Sequence, residues 1–278
     1  MLTRMILRIA LLLFAAALVA PAAARAQAEG FLSVCGNRAA SAAEVARTCR
    51  RALDTGALTP AQAVAAAINL GGALLDLEQP GAARDAYERA LALQPASAPA
   101  LAGRAEARAA LGETGPAAVD WNRAVDLAPN DAALRAARGA FRLRAGNSGG
   151  ALADFEAALA RDPGDAALTF NRALALAALG RDAEAEAGFS RVIAADPQDT
   201  GAWLNRARLR AARDPLAALA DYDRAVALAG GWSQPLVERG ALLDSLGRTA
   251  EADADFRRAW ELGHRSEALN ARILAMGR

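Results

Sequence analysis

Apolar residues recur along this chain at helical spacing, and the helical pattern itself recurs with a longer period. Alanine stands four residues before an aromatic ring six times: Ala83 and Tyr87, Ala117 and Trp121, Ala151 and Phe155, Ala185 and Phe189, Ala218 and Tyr222, Ala252 and Phe256. The rings follow one another at 34, 34, 34, 33 and 34 residues. Residues four apart share a helix face, so each pair marks a stripe meant for burial. Three residues after each ring comes another small apolar position: Ala90, Ala124, Ala158, Val192, Ala225 and Ala259. A separate column upstream of the rings holds only Gly or Ala: Gly71, Ala105, Gly139, Ala173, Ala207 and Gly240.

Each copy therefore reads as two helices. The first runs about 14 residues and stops at a turn marked by Gly112, Gly146, Gly180 or Gly247. The second carries the alanine and the ring and stops near a proline, at 95, 129, 163 and 197, again 34 apart. Ser97, Asp131, Asp165 and Asp199 then stand where a helix N-cap belongs. Small residues in the upstream column let the two helices approach, and the ring fills the space between them. Copy five is one residue short around Asp214-Pro215 and has Gly230 in place of the terminal proline, and copy six has His264 there.

The ends follow other rules. Arg4 and Arg8 precede an unbroken apolar run from Ile9 to Ala20, closed by Pro21. Ala24-Arg25-Ala26 and Ala26-Gln27-Ala28 fit a small-x-small cleavage pattern, so residues 1–28 are expected to be a secretory signal peptide cut after Ala28. The run is shorter than the roughly 20 residues of a span. An uncleaved anchor is the alternative. Leu32-Ser33-Val34-Cys35 does not qualify as a lipoprotein signal, because Val34 is the wrong residue before the cysteine and Arg25 and Glu29 separate it from the apolar run. Export into an oxidising compartment favours pairing of Cys35 with Cys49, the only two cysteines, against the alternative of two free thiols. Ser41-Ala42-Ala43-Glu44 looks like a capping box opening the helix that carries Cys49. Residues 29–58 are expected to cap the array, which occupies 59–266. Residues 267–278 are expected to form a terminal capping helix, with Leu269, Ile273 and Met276 inward.

Composition removes much chemistry. All 32 basic residues are arginine. That excludes a phosphate-loop lysine, a Schiff-base lysine and a lysine general base. A single histidine, His264, excludes sites needing two imidazoles. Against 31 acidic residues there is no basic excess of the kind nucleic-acid binders carry. Cleavage of the leader leaves 29 basic against 31 acidic residues. No Gly-x-Ser-x-Gly elbow is present. The expectation is a protein without catalytic activity, cofactor, metal or nucleic acid. The arginine-only, alanine-rich composition points to a high-GC bacterial source, and with the leader to the periplasm.

The six copies resemble the tetratricopeptide repeat family over Thr59 to Ser266. The resemblance implies an all-α fold: a right-handed α-solenoid of about six antiparallel helix pairs with N- and C-terminal capping helices. It also implies a concave groove, lined mainly by first helices, that holds a partner's peptide or helix. Such pairs cannot bury their apolar faces alone, so stacking is obligatory. One column departs from the family. Where it usually has leucine, copy one has Leu70 and the others have Arg104, Arg138, Arg172, Arg206 and Arg239. The residue before each ring supplies a matching acid, Asp120, Asp154, Asp221 and Asp255, with Ala86 in copy one and Gly188 in copy four. Salt bridges within each copy are predicted, rather than an arginine ladder for anionic ligands.

Candidates for partner contact lie in the column before those arginines: Asn69, Gly103, Ala137, Asn171, Asn205 and Glu238. Asparagine here resembles the family's habit of gripping a peptide backbone through its amide, and a plain solvated polar face is the alternative. Phe170 and Leu204 are expected to form an apolar shelf beside Asn171 and Asn205. Trp232, in the loop between copies five and six, is expected to be more exposed than Trp121 or Trp203, whereas Trp260 shares an apolar column and is expected in the core. The family's basic clamp for a terminal carboxylate is not carried over, because lysine is absent. The expected function is a non-enzymatic interaction scaffold of the cell envelope that binds a protein partner. A cell-wall glycan or peptidoglycan accessory role is the alternative, and self-association stays open.

Overall fold

A computed structural model describes residues 22–37 and 39–277. Most of the expected leader, residues 1–21, lies outside them. The described residues form fifteen helices and no strand. They are α1 (Ala22–Cys35), α2 (Ala42–Asp54), α3 (Pro60–Asp76), α4 (Pro80–Leu93), α5 (Ala98–Ala110), α6 (Thr114–Leu127), α7 (Ala132–Arg144) and α8 (Ser148–Leu159). Then come α9 (Ala166–Ala178), α10 (Asp182–Ala195), α11 (Thr200–Arg210), α12 (Pro215–Leu228), α13 (Gln234–Ser245), α14 (Thr249–Glu261) and α15 (Glu267–Met276). The chain packs as two compact units that divide between Leu134 and Arg135, inside α7.

The first unit begins with α1 packed on α2, and α2 on α3. Ser41 caps α2 by accepting from the Glu44 N–H at 3.3 Å. Cys35 and Cys49 are joined, with an S–S distance of 2.09 Å, and both are buried. The expected cleavage point falls inside α1, whose Ala28 is 1% exposed. Helix α3 opens with a full capping box between Thr59 and Gln62. The pairs α3/α4 and α5/α6 follow. The Tyr87 ring wedges between them, and a Cβ on Gly71 or Gly103 would lie within 2.6 or 2.2 Å of it. That close approach explains why copy two has glycine in the column where other copies have asparagine, alanine or glutamate.

The second unit contains the pairs α7/α8, α9/α10, α11/α12 and α13/α14, closed by α15. Phe155 and Phe189 are completely buried. Every alanine four residues before a ring is 0% exposed in both units, from Ala83 to Ala252. Asp165 and Asp199 cap α9 and α11 by accepting from Leu168 and Ala202 N–H groups at 2.9 and 2.8 Å. Gly146, Gly180 and Gly247 adopt positive φ at their turns, the left-handed region that glycine favours. Helix α15 sets Leu269 and Ile273 against Leu236 and Ala259. Arg272 ties it down through Asp244 and Asp253 at 2.8 and 2.9 Å.

Trp260 is a correction. Its column is covered in earlier copies, where Leu91, Val125 and Ile193 are buried, but Trp260 is 39% exposed. The pair that carries it is followed by the ten-residue α15, which packs on Leu236 and Ala259 rather than over the indole. The indole is instead faced by the Arg265 guanidinium at 4.2 Å.

Candidate partner-binding face

The arginine column forms the bridges its spacing predicts. Arg104 donates to both Asp120 oxygens at 2.8 and 2.7 Å, Arg138 to Asp154 at 2.9 and 2.6 Å, Arg206 to Asp221 at 2.9 and 2.7 Å, and Arg239 to Asp255 at 2.8 and 2.6 Å. Each is the parallel two-pronged contact that arginine makes with a carboxylate. The aspartates are buried, so unpaired they would carry a heavy desolvation penalty.

Two features go beyond the sequence reading. A second arginine one turn later joins the same carboxylate in three copies: Arg108 at 2.6 Å, Arg142 at 2.9 Å and Arg210 at 3.0 Å. The i, i+4 spacing within the first helix was the available signal. The column arginines also reach the preceding copy, through the residue just after its ring. Arg206 donates to Ser190 at 3.0 Å and Arg239 to Asp223 at 2.7 Å. Arg172, with Gly188 opposite, turns wholly to Glu156 at 2.8 Å. The column thus joins the two helices of copies two, three, five and six, and in the second unit also links successive copies, with its guanidiniums committed to carboxylates.

The candidate contact residues distribute unevenly. Asn69 lies in the first unit, exposed on α3. Phe170, Asn171, Leu204, Asn205 and Trp232 all belong to the second. Asn171 is half-buried and makes no hydrogen bond among the described residues. Phe170 beside it is half-buried and meets the Phe189 ring edge-on at 5.4 Å. Leu204 is a correction: at 1% exposure it belongs to the core with Ala207, Ala218 and Tyr222, and contributes no shelf. Its shorter side chain sinks between α11 and α12 where the Phe170 ring is held higher. Trp232 is 46% exposed at the tip of the α12–α13 loop. Trp121 is buried, and Trp203 is half-buried with its indole N–H donating to the Pro197 carbonyl at 3.0 Å.

Asn205 is partly spent. Its Nδ2 donates to the Gly201 carbonyl at 2.8 Å and its Oδ1 accepts from Arg208 at 3.0 Å. One donor and one acceptor remain on the amide. Arg208, which the sequence reading did not single out, lies three residues on, and its Nε donates to Glu238 of α13 at 2.7 Å. Gln234 and the Tyr222 hydroxyl donate to the same carboxylate at 2.6 and 3.4 Å. Burial alone would push the Glu238 carboxyl up, but the hydrogen bonds from Arg208 and Gln234 outweigh it and hold it below its ordinary value. Burial and the Glu238 charge push the Tyr222 hydroxyl far up, so it stays protonated and donates. The face therefore offers a ring, an open amide and a polar clasp across two adjacent first helices. Among the described residues no group of three or more His, Cys, Asp or Glu could hold a metal, and no helix is long and apolar enough to cross a membrane.

A solenoid of paired helices with a polar first-helix face is the architecture of a helical-repeat protein. The profile described as Tetratricopeptide repeat matches residues 68–132 and 136–200, so this part of the chain carries tetratricopeptide repeats. Solved structures show the same fold. PilW, a widely conserved type IV pilus biogenesis factor, is 22% identical, with a TM-score of 0.69 over 76% of this chain and 99% of its own. PilF of Pseudomonas aeruginosa is 20% identical, with a TM-score of 0.65 over 78% and 99%. A tetratricopeptide repeat protein from Parabacteroides merdae is 22% identical, with a TM-score of 0.65 over 85% and 93%. No curated protein matches the chain in sequence.

Proposed function

We propose that this protein is a non-enzymatic interaction scaffold of the bacterial cell envelope, holding a segment of another protein along its first-helix faces. Tetratricopeptide repeats are scaffolds for protein–protein interaction, and that much follows from the family. The finer reading rests chiefly on Phe170 and Asn171. A half-buried ring and an amide with unspent hydrogen-bonding capacity stand side by side, with the remaining capacity of Asn205 on the next first helix. An extended segment presents alternating backbone donors and acceptors, which such amides can engage without reading sequence. Export is supported by the apolar leader pattern and by the Cys35–Cys49 bridge, since such bridges persist in oxidising compartments. PilW, a type IV pilus biogenesis factor among the structural neighbours, agrees with an envelope setting.

The test is crosslinking and co-purification from intact envelopes, comparing the wild type with an Asn171→Ala/Asn205→Ala double variant. Loss of specific proteins in the variant supports the reading. Recovery of the same proteins in equal amounts rejects the face. The half-exposed indoles of Trp232 and Trp260 favour a second reading, a glycan or cell-wall accessory role, because flat rings stack on sugars. That reading requires affinity for purified wall polymer with no protein present.

A further inference from the structure

We infer that the N-terminal segment and α3 of the first unit build a pocket for a basic side chain, lysine or arginine, on the partner's segment. The inference rests on the reading of first-helix faces as partner-binding surfaces and adds the chemistry of one contact.

The pocket encloses about 430 Å³ and is lined on one side by Cys35, Gly36 and Asn37 and on the other by Asn69, Asp76 and Tyr87. That volume is in the range that accepts a single long side chain. Its apolar wall comes from Val45, Ile68 and nearby alanines, which suits an aliphatic stem.

Three independent features make it attractive to a cation. Tyr87 is 4% exposed yet lines the pocket, its hydroxyl lies near the lining Gly72, and it makes no hydrogen bond among the described residues. The phenol oxygen has no partner within the protein, so it is free to accept from an incoming donor. Two helices end at the pocket, α1 at Cys35 and α3 at Asp76, and helix C-termini carry a partial negative charge. Asp76 adds a full charge at one of those ends, where the helix dipole disfavours it and a cation offsets both. Burial and the charges of Glu106 and Asp76 push the Tyr87 hydroxyl far up, the direction expected in a negative field. None of the described lining residues is basic.

The wall at Cys35–Asn37 is not part of any repeat. The Cys35–Cys49 bridge fixes it against α2. The bridge therefore has a second consequence besides capping, because it shapes the end of the binding face.

The experiment uses the oxidised, 15N-labelled protein and four blocked tripeptides: acetyl-Gly-X-Gly-amide with X arginine, lysine, glutamate or norleucine. The expected result is that the arginine and lysine peptides shift the amides of Asn69, Gly72 and Asn37, while the glutamate peptide does not and norleucine binds at least tenfold more weakly. Asp76→Asn is expected to weaken the basic peptides about tenfold, as for loss of one charge-assisted hydrogen bond. Tyr87→Phe, which keeps the ring, is expected to weaken them severalfold. Asn171→Ala/Asn205→Ala is expected to leave this binding unchanged, which separates failure of the pocket from failure of the face in the second unit. Equal response to acidic and basic peptides, no response to any of the four, or basic-peptide binding indifferent to both Asp76→Asn and Tyr87→Phe overturns the inference.

Discussion

Removal of the Asp154 carboxylate is the sharpest test of how the repeats are held. Asp154 is 2% exposed and accepts from Arg138 at 2.9 and 2.6 Å and from Arg142 at 2.9 Å. In Asp154→Ala both guanidiniums stay in a largely dry helix interface and lose that anion. Breaking a buried pair by deleting one partner destabilises by about 3–5 kcal/mol. Arg138 and Arg142 have other interactions, so the lower end, about 3 kcal/mol, is expected here. Replacing all the charged members by well-packed apolar residues is often neutral, by contrast. Copy one supplies the replacement set, because Leu70, Leu74 and Ala86 occupy the places of Arg138, Arg142 and Asp154 and are all buried. The triple variant Arg138→Leu/Arg142→Leu/Asp154→Ala should therefore recover most of what the single variant loses. Urea unfolding followed by circular dichroism measures both. An Asp154→Ala protein as stable as the wild type refutes the pairing, and a triple variant no better than the single refutes the claim that the bridges substitute for apolar packing.

Other outcomes follow from the same geometry. Gly188→Asp would give Arg172 the acid its column lacks, but a Cβ at Gly188 would sit 2.8 Å from the Ala173 Cβ, so it should destabilise by about 1–3 kcal/mol as an overpacked site. Melting above the wild type would contradict this. Cys35→Ala/Cys49→Ala should lower the stability of the first unit by about 3 kcal/mol, the chain-entropy value for a loop of this length. Hydrogen exchange should then speed up in α1 and not in α9–α14; unchanged protection of α1 would count against it. The Glu238 carboxyl, held below its ordinary value, contributes stability above the unfolded-state value and loses it as pH falls through the lower folded value. Stability of the wild type should thus fall more steeply on the acid side than that of Glu238→Gln, and parallel curves would remove the clasp from the account.

The repeat was legible because its period is carried by residues with no freedom to vary. A ring wedged between two helices demands a small neighbour, so Gly71, Gly139 and Gly240 announce the packing before any coordinates exist. The arginine–aspartate bridges were legible because both columns keep register and fail together in copy one. The contact face was not legible to the same degree. Leu204 and Phe170 share a column, yet side-chain length decides that one is buried and the other half-buried. Arg208 and Glu238 meet across two copies, and no single-column reading pairs them. Trp260 fits an apolar column whose cover depends on the element packed next, and that element is the short α15. The Tyr87 pocket depends on a wall from outside the repeat, which no period can reveal.

Site-specific photo-crosslinking tests the central claim most directly. A photoreactive phenylalanine analogue placed at position 171, on the first helix α9, should yield adducts with envelope proteins in living cells. The same analogue at position 216, where Leu216 is 74% exposed on the second helix α12, should yield none. Adducts at 216 with none at 171 would contradict the account.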